Sequence, residues 1–486
     1  MDTHALVAAL AIIGIVIVVS ALLSGLVDKS GLPHVAVFLC IGAALGPAGL
    51  GLFNATLDSA VLRVVATLSL TLVLFTDAVT LNISEVKRNA ALAFRMLGPG
   101  TILCAALMTV AAWWLLQIPP AHAAILGAAL ASTDPVLLRG LMTRHDIPSE
   151  ARQALKLESG LNDVVLLPIV AVAIALSGAE HVESNGFGKL AFGFFILGPG
   201  AGVAIGLLGV SALDLIRKRI GVRRDYESLY SLGVAFTAYA AAEAVHGSGF
   251  LAAFAAGLTI AALDVELCDC FIEYGGVTAE MLLLFTFVIL GSSLIWTGFS
   301  ELNGATIAFA AFSVLIRVPI YLLSLLRSNV NRRGRLVIAW FGPSGLSSLL
   351  LVLLAVFAGV PGNERIFAIC SLIVLLSIVI HGTSPMLLAR FSKKIEVTEP
   401  PSRALPVVEP SQQEQSVGSQ IVTLEDVDRL KKAGEQVILL DVRTERSRAT
   451  SDSQADGSVR MPPENVVVQA REKNLPKDAW LVAYCA

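Results

Sequence analysis

Residues 121–144 read AHAAILGAALASTDPVLLRGLMTR, an apolar stretch that an Asp-Pro pair interrupts beyond its middle. Pro135 supplies no backbone N–H and disfavours helical geometry at Asp134, so a helix formed here should open near Thr133. Opening the helix would expose backbone carbonyl groups beside a carboxylate. Broken helices at the middle of a membrane are a usual way to build an ion site. The alternative is a simple proline kink, which is common in membrane helices.

The composition places this stretch in a membrane protein. Hydrophobic residues make up 55% of the 486-residue chain and charged residues 15%, against about 25% charged in a typical soluble domain. A helix needs about 20 apolar residues to cross a bilayer. Runs of that length recur, and we expect thirteen spans, at 5–27, 32–53, 58–80, 92–117, 121–144, 153–177, 190–214, 227–245, 247–263, 276–297, 303–326, 335–358 and 366–389.

The positions of Lys and Arg predict the orientation. With the N-terminus outside, the inside loops and span edges hold nineteen of these residues, whereas the outside loops hold two, Lys189 and Arg365. Cytoplasmic loops of membrane proteins carry the excess of Lys and Arg. The sequence therefore predicts a cell inner-membrane protein with its N-terminus outside and its C-terminus in the cytoplasm.

A second break is predicted in the twelfth span, at the sequence Phe-Gly-Pro-Ser-Gly of residues 341–345, around Gly342 and Pro343. The twelfth span comes seven spans after the fifth, and this odd offset means that the two helices run in opposite directions. Spans 1–6 and 8–13 would then form an inverted repeat, and the two discontinuous helices would cross near the midplane.

The sixth span carries ionisable residues at membrane depth. Residues four apart share a helix face, so Glu158 lies over Asn162 and Ser159 lies over Asp163. The oxygen ligands on this face suit a small dehydrated cation. The alternative is that the two acids are paired only for stability. However, three acids are expected to be buried here, Asp134, Glu158 and Asp163. The single charge of Arg317, in the eleventh span, cannot neutralise all three without a further cation or proton.

Together these motifs resemble the monovalent cation:proton antiporter-1 family, which includes bacterial sodium/proton antiporters of the NhaP kind and the animal sodium/proton exchangers. The resemblance covers roughly residues 5–394 and rests on residues 132–135, on residues 158–163 and on the span around Arg317. It implies an all-α fold of about 13 transmembrane helices. It also implies a homodimer, with a core domain that moves past a dimerisation domain.

The resemblance assigns roles to the residues of the sixth span. Asn162 and Asp163 would form the exchange site, and Glu158 and Arg317 would form a structural ion pair. Many relatives carry Arg after the Gly-Pro of the twelfth span, where this chain has Ser344. That departure leaves any cytoplasmic role of the position open.

The resemblance also implies a cation site. Asp77, at the end of the third span, stands where an acidic residue often assists, although Glu is commoner there. The unwound fifth span and the adjacent helix face would line the site, so that a transported Na+ would bind at Asp163, Asp134, Ser159 and Thr133.

From these residues we expect a secondary antiporter that exchanges Na+ or Li+ for H+ by alternating access, not an enzyme. Cation and proton would compete at Asp163, because an empty, charged Asp163 is too costly to carry through a low-dielectric barrier. The Asn162 amide cannot exchange a proton for a cation. With Glu158 held ionised by Arg317, one acid titrates and the exchange is electroneutral. The alternatives are K+/H+ exchange, a membrane-anchored sulfurtransferase and an ion sensor.

The character of the chain changes after the transmembrane domain of residues 1–394. Residues 395–420 are rich in Pro, Ser, Gln and Glu, which predicts a disordered linker. Residues 421–486 form a small α/β pattern that resembles the first part of a rhodanese domain. Cys485 occupies the place of that family's sulfur-carrying cysteine, but the sequence stops at Ala486. We therefore predict an incomplete, inactive rhodanese-like segment on the cytoplasmic side.

The net charge of −3 argues against a nucleic-acid partner. No motif predicts a cofactor. The expected partners are a monovalent cation, the proton, the lipid bilayer and a second copy of the chain.

Overall fold

A computed structural model describes residues 34–52, 56–81, 83–142, 147–177, 192–219, 224–263, 269–328, 330–392, 436–442, 457–461 and 479–484, with isolated positions elsewhere. The chain divides into two compact units, Met1–Glu396 and Val397–Ala486. Apart from isolated positions, the first predicted span and the predicted linker lie outside the described residues, and so does Cys485.

Regular structure in the described part of the first unit is helical. The fifteen helices are α1 (His34–Leu45), α2 (Ala60–Val79), α3 (Ile83–Arg88), α4 (Ala90–Leu116), α5 (Pro120–Ala131), α6 (Pro135–Met142), α7 (Ser149–Ser177), α8 (Gly198–Arg219), α9 (Arg224–Ala244), α10 (Gly249–Ala262), α11 (Asp269–Ser292), α12 (Gly304–Ser324), α13 (Arg332–Trp340), α14 (Leu346–Phe357) and α15 (Asn363–Ser392). The predicted all-α polytopic fold is confirmed, and each predicted span from the second to the thirteenth has a helical counterpart.

Six of the described helices are long and apolar enough to cross a membrane as continuous segments, namely α2, α4, α7, α8 with the turn before it, α12 and α15. A seventh is added if α11 and the 3-10 turn Leu294–Glu301, which are bent by 49°, count as one span. Shorter apolar helices include α5 and α14. This number is smaller than the predicted thirteen because broken, short or more polar helices do not meet the length and composition of a continuous span.

The described helices pack as two groups. The first helix group comprises α1, α2, α8, α9, α10 and α11, and the second comprises α4, α5, α7, α12, α13, α14 and α15. Backbones in the first group approach closely at glycines: a Cβ on Gly202 would lie 2.1 Å from the carbonyl oxygen of Ala252. Small residues permit such close packing between membrane helices. Direct contacts between the helices of the two groups are few, but the 3-10 turn Leu294–Glu301, which continues α11, packs against α15.

The two predicted breaks meet inside the second helix group. One break covers residues 132–134, between α5 and α6, and the other covers residues 341–345, between α13 and α14. The backbone N–H of Asp134 donates to the carbonyl of Pro343 at 2.9 Å, and the Ser344 hydroxyl donates to the carbonyl of Leu130 at 2.9 Å. These bonds satisfy backbone groups that a broken helix leaves without intrahelical partners. The prediction of two crossing discontinuous helices is confirmed, and a simple proline kink is excluded.

The second unit contains a small parallel sheet in its described part. Its strands are β1 (Val437–Asp441), β2 (Val459–Arg460) and β3 (Trp480–Tyr484), in the order β2-β1-β3. Parallel neighbours of this kind agree with the predicted α/β pattern. The likeness to a rhodanese domain stays a prediction.

Candidate ion-binding site

Asp163 lies near the middle of α7 and is 5% exposed. The hydroxyl of Ser132, at the end of α5, donates to Oδ1 of Asp163 at 2.5 Å. Ser347, in the first turn of α14, interacts with the same carboxyl group. Residues beside both breaks therefore surround the acid that the sequence singled out.

Asn162 connects α7 to the first break. Its amide nitrogen donates to Thr133 twice, to the hydroxyl oxygen at 2.6 Å and to the carbonyl oxygen at 3.3 Å. The amide oxygen of Asn162 is buried and has no hydrogen-bond partner among the described residues. A buried acceptor without a partner is costly, so this oxygen is suited to a ligand.

Asp134 faces the start of α14. One carboxylate oxygen accepts the backbone N–H of Leu346 at 2.7 Å. Gly345 makes this approach possible, because a Cβ at that position would lie 2.1 Å from the same oxygen. The partial positive charge of a helix N-terminus stabilises a nearby carboxylate. Asp134 thus joins the two breaks through both its backbone and its side chain.

Glu158 and Arg317 form a buried bidentate ion pair between α7 and α12. Both nitrogen-to-oxygen distances are 2.7 Å. The Tyr321 hydroxyl donates to the same carboxylate at 2.6 Å, and the Arg317 guanidinium lies 3.9 Å from the centre of the Tyr321 ring. Buried ion pairs are maintained only when additional hydrogen bonds and good geometry offset desolvation, and this pair has both.

Gly342, in the second break, leaves the space that Arg317 occupies. A Cβ at Gly342 would lie 1.9 Å from Nε of Arg317. The guanidinium also donates to the carbonyl of Ile338, near the end of α13, at 3.3 Å. The ion pair therefore depends on the shape of the break between α13 and α14.

The three buried acids differ in how their negative charge is balanced. Glu158 has Arg317, and Asp134 has the N-terminus of α14. No described Lys, Arg or His side chain pairs with Asp163, which receives only neutral hydroxyl donors. Its charge is thus the one that a bound cation or proton would balance.

A cavity leads towards this acid from one side of the membrane. The described Lys and Arg residues of α3 and of the start of α7 mark that side, here called the basic side. The cavity measures about 560 Å³ and separates the end of α2 from α6 and α7. Its lining includes Asp77, Pro135, Lys156 and Ser159. It therefore reaches within one helical turn of Asp163.

The predicted site residues fall into an inner and an outer set. Asn162, Thr133 and Asp134 lie buried at the crossing around Asp163. Ser159 instead donates to the carbonyl of Lys156 at 3.3 Å and lines the basic-side cavity together with Asp77. The described Ser159 hydroxyl therefore does not donate to Asp163.

Sequence reasoning missed three contributors, Ser132, Ser347 and Tyr321. Ser132 begins the motif that holds Asp134, so its position in the break was a usable signal. Ser347 follows the second break by two residues, and Tyr321 follows Arg317 by four. Helical spacing could have placed Tyr321 on the face of Arg317. Within the described residues, no group of three or more His, Cys, Asp or Glu residues could hold a metal ion as a resident cofactor.

Comparison with known proteins agrees with this geometry. The model of the family described as "Sodium/hydrogen exchanger, transmembrane" matches residues 15–390, most of the chain. The chain belongs to the sodium/hydrogen exchanger family. It is therefore a multi-pass membrane transporter of the cation/proton antiporter class, as predicted, and not an enzyme.

Two relatives show the sequence similarity. The K(+)/H(+) antiporter NhaP2 of Shewanella sp. (strain MR-4) is 25% identical over 396 residues, which cover 80% of this chain and 67% of that protein. The K(+)/H(+) antiporter NhaP of Alkalimonas amylolytica is 25% identical over 405 residues, which cover 82% of this chain and 69% of that protein.

A solved structure shows the same fold. The sodium proton antiporter MjNhaP1 from Methanocaldococcus jannaschii, determined at pH 8, superposes with a TM-score of 0.64 at 21% identity. The match covers 79% of this chain and all of that chain. The membrane unit thus has an NhaP-type antiporter fold.

Proposed function

We propose that this protein exchanges one monovalent cation, Na+ or Li+, for one proton, with both competing for Asp163. The observation that carries the proposal is the isolation of this carboxyl group. It is buried at the crossing of the two broken helices, and no described cationic side chain neutralises it. A basic-side cavity ends one turn away, at Ser159.

Burial of Asp163 accounts for coupling. An ionised carboxylate in the membrane interior is strongly disfavoured. The helices that carry it can cross the barrier only after a cation or a proton has neutralised it. Alternating movement of the neutral forms exchanges one ion for the other and prevents net leak of either.

The neighbouring residues support a one-for-one stoichiometry. The Asn162 amide has no proton to exchange in the physiological range. Glu158 accepts two charge-assisted hydrogen bonds from Arg317 and one from Tyr321, so its charge is balanced within the protein. Asp163 is then the acid that titrates, and one Na+ replaces one H+ without net charge movement.

We also propose a setting for this exchange. The protein would lie in a bacterial-type inner membrane as a homodimer, with its N-terminus outside and the basic side in the cytoplasm. The excess of Lys and Arg on that side supports the orientation. In the structure the basic-side cavity would then open towards the cytoplasm.

The second candidate function is K+/H+ exchange. The relatives from Shewanella and Alkalimonas are named K(+)/H(+) antiporters, and carboxylate, hydroxyl and amide oxygens bind either ion. The membrane-anchored sulfurtransferase is disfavoured, because most of the chain belongs to a transporter family.

The test is exchange by purified protein in liposomes. Vesicles containing a pH-sensitive dye receive outward or inward gradients of Na+, Li+ and K+ in turn, and the internal pH is followed. We expect Na+ and Li+ to drive proton movement, with no membrane potential recorded by a voltage-sensitive dye. Asp163→Asn should abolish the signal and leave the purified protein folded and monodisperse.

The outcomes separate the candidates. A response to K+ alone would replace the first function by the second. Undiminished exchange by Asp163→Asn would remove Asp163 from the mechanism. No exchange with any of the three cations, from protein that is folded and inserted, would leave an ion sensor as the better description.

A further inference from the structure

A small cavity adjoins Arg317 inside the second helix group, and we call it the arginine cavity. It measures about 10 Å³ and is lined by residues of α4, α5, α12, α15 and the second break. Glu158 and Asp163 are not among its lining residues, so it is separate from the ion-binding site. A polar cavity of about 10–15 Å³ has room for one water molecule.

One nitrogen atom of Arg317 has no acceptor in the ion pair. Its two Nη atoms donate to Glu158, and one of them also donates to the carbonyl of Ile338. Nε is buried and has no hydrogen-bond partner among the described residues. Gly342, whose Cβ would lie 1.9 Å from Nε, lines the arginine cavity together with Arg317. A buried N–H group without an acceptor is costly, and an acceptor in this cavity would remove that cost.

Two serines supply acceptor oxygens around the same cavity. The Ser313 hydroxyl donates to the carbonyl of Ala310 at 2.8 Å, and the Ser344 hydroxyl donates to the carbonyl of Leu130 at 2.9 Å. A serine hydroxyl has one proton and two lone pairs. Because both protons are already used, each oxygen keeps lone pairs for a donor in the cavity.

This combination of one donor and two acceptors selects the kind of ligand. A chloride ion would find a single N–H donor beside oxygen lone pairs, and the guanidinium charge is already balanced by Glu158. A metal cation would lie beside the guanidinium with no Asp or Glu in the lining. Ser377 and His381 also line the cavity, but they are paired with each other at 3.1 Å. Water can both accept and donate, and buried water molecules typically make about three hydrogen bonds.

We propose that the arginine cavity binds one water molecule, which accepts from Nε–H of Arg317 and donates to the hydroxyl oxygens of Ser313 and Ser344. The water gives the guanidinium its missing acceptor and connects α12 to the second break. The orientation of Arg317 towards Glu158 then depends on a bound solvent molecule as well as on protein contacts. This water is independent of which cation the protein exchanges.

The test is hydroxyl-radical labelling by X-ray radiolysis of the full-length protein in nanodiscs, read by mass spectrometry. Radiolysis converts water into hydroxyl radicals, which oxidise Met and Cys side chains beside a bound water even where bulk solvent does not reach. Met108 and Cys104 line the arginine cavity and are buried. Met96 and Cys370 are equally buried but do not line it, so they are matched controls within the same chain.

We expect Met108 and Cys104 to be oxidised several-fold faster than Met96 and Cys370. Equal, slow oxidation of all four side chains would mean that the cavity is dry and would overturn the proposal. This comparison needs neither a variant nor a cation gradient, so its failure is distinct from failure of the proposed exchange.

A variant identifies the cavity as the source of the labelling. Ser313→Val adds a methyl group to the cavity and removes one acceptor, so it should lower the oxidation of Met108 to the rate of Met96. Ser324→Val is the matched control, because Ser324 also lies on α12 and also donates to a carbonyl three residues earlier. It should keep the wild-type labelling. Unchanged oxidation of Met108 in Ser313→Val would contradict the proposal, because water would then reach Met108 from elsewhere.

A density map that shows ordered water gives a second measurement if Ser313→Val does not fold. We expect a peak within about 3.2 Å of Nε of Arg317, which is the usual limit for an N–H···O hydrogen bond. A map with ordered water at other buried sites and no peak at this position would overturn the proposal.

Discussion

The carboxylate of Asp134 accepts the backbone N–H of Leu346 at 2.7 Å, joining residues that are 212 positions apart. Asp134 lies in the break of the first discontinuous helix, and Leu346 begins the second half of the other one. The same residue donates its own N–H to Pro343. One acid therefore joins the two breaks at the crossing beside Asp163.

This relationship separates two roles for Asp134, that of a helix cap and that of a cation ligand. Asp134→Ala leaves the buried N–H of Leu346 without an acceptor and should cost about 1–3 kcal/mol of stability. Asp134→Asn keeps an acceptor oxygen and should recover most of the lost thermal stability, measured as Tm in detergent.

Exchange by the Asp134→Asn protein then decides between the roles. We expect transport to be retained if Asp134 is chiefly a cap. A stable Asp134→Asn protein without exchange would show that the negative charge of Asp134 is itself needed at the cation site. Full stability of Asp134→Ala would contradict the cap.

Gly342 gives a second prediction, on the Glu158–Arg317 pair. Gly342→Ala introduces a Cβ that would lie 1.9 Å from Nε of Arg317 and must displace the guanidinium. Breaking a buried ion pair from one side typically costs about 3–5 kcal/mol. We expect a large fall in Tm and in the amount of monodisperse protein.

The matched control for this substitution is Gly233→Ala in α9. A Cβ at Gly233 meets nothing within 4 Å, and alanine is favoured over glycine inside a helix. This control should keep or slightly raise the Tm. Equal stability of the Gly342→Ala protein would mean that Arg317 has room to move that the structure does not show.

Arg63 gives a third prediction, about the two helix groups. Its guanidinium donates to the carbonyl of Phe357 at 3.1 Å and lies 5.1 Å from the centre of that residue's ring. Arg63 belongs to α2 of the first group, and Phe357 ends α14 of the second. This contact holds the two helix groups together on the side opposite the basic-side cavity. Arg63→Ala should therefore favour the conformation in which that cavity is closed.

The measurement is the rate at which a thiol reagent modifies Leu81→Cys, which lines the basic-side cavity, in a background with the other cysteines removed. Loss of one hydrogen bond should slow the labelling about twofold to tenfold. Arg95→Ala is the control, because Arg95 of α4 donates to the carbonyl of Arg327, which follows α12 of the same second group. Unchanged labelling in Arg63→Ala would show that this contact does not influence the conformational equilibrium.

The local signals in the sequence were sufficient to predict the helices and the positions of the two breaks. Apolar length placed the spans, because the backbone of a membrane helix satisfies its hydrogen bonds within itself. Asp134-Pro135 and the Gly342-Pro343 pair placed the breaks, because proline removes a donor and restricts its neighbour. The spacing of polar residues along α7 predicted that Asn162 and Asp163 lie at the same depth in the membrane.

Partners across the crossing could not be deduced in the same way. The sequence by itself determined which acids are buried and where the helices open, since both follow from composition and local backbone chemistry. Only the tertiary structure decided that the Ser132 hydroxyl donates to Asp163 and that Asp134 caps α14. These contacts join residues far apart in the chain, and their distances depend on how the two helix breaks pack against each other.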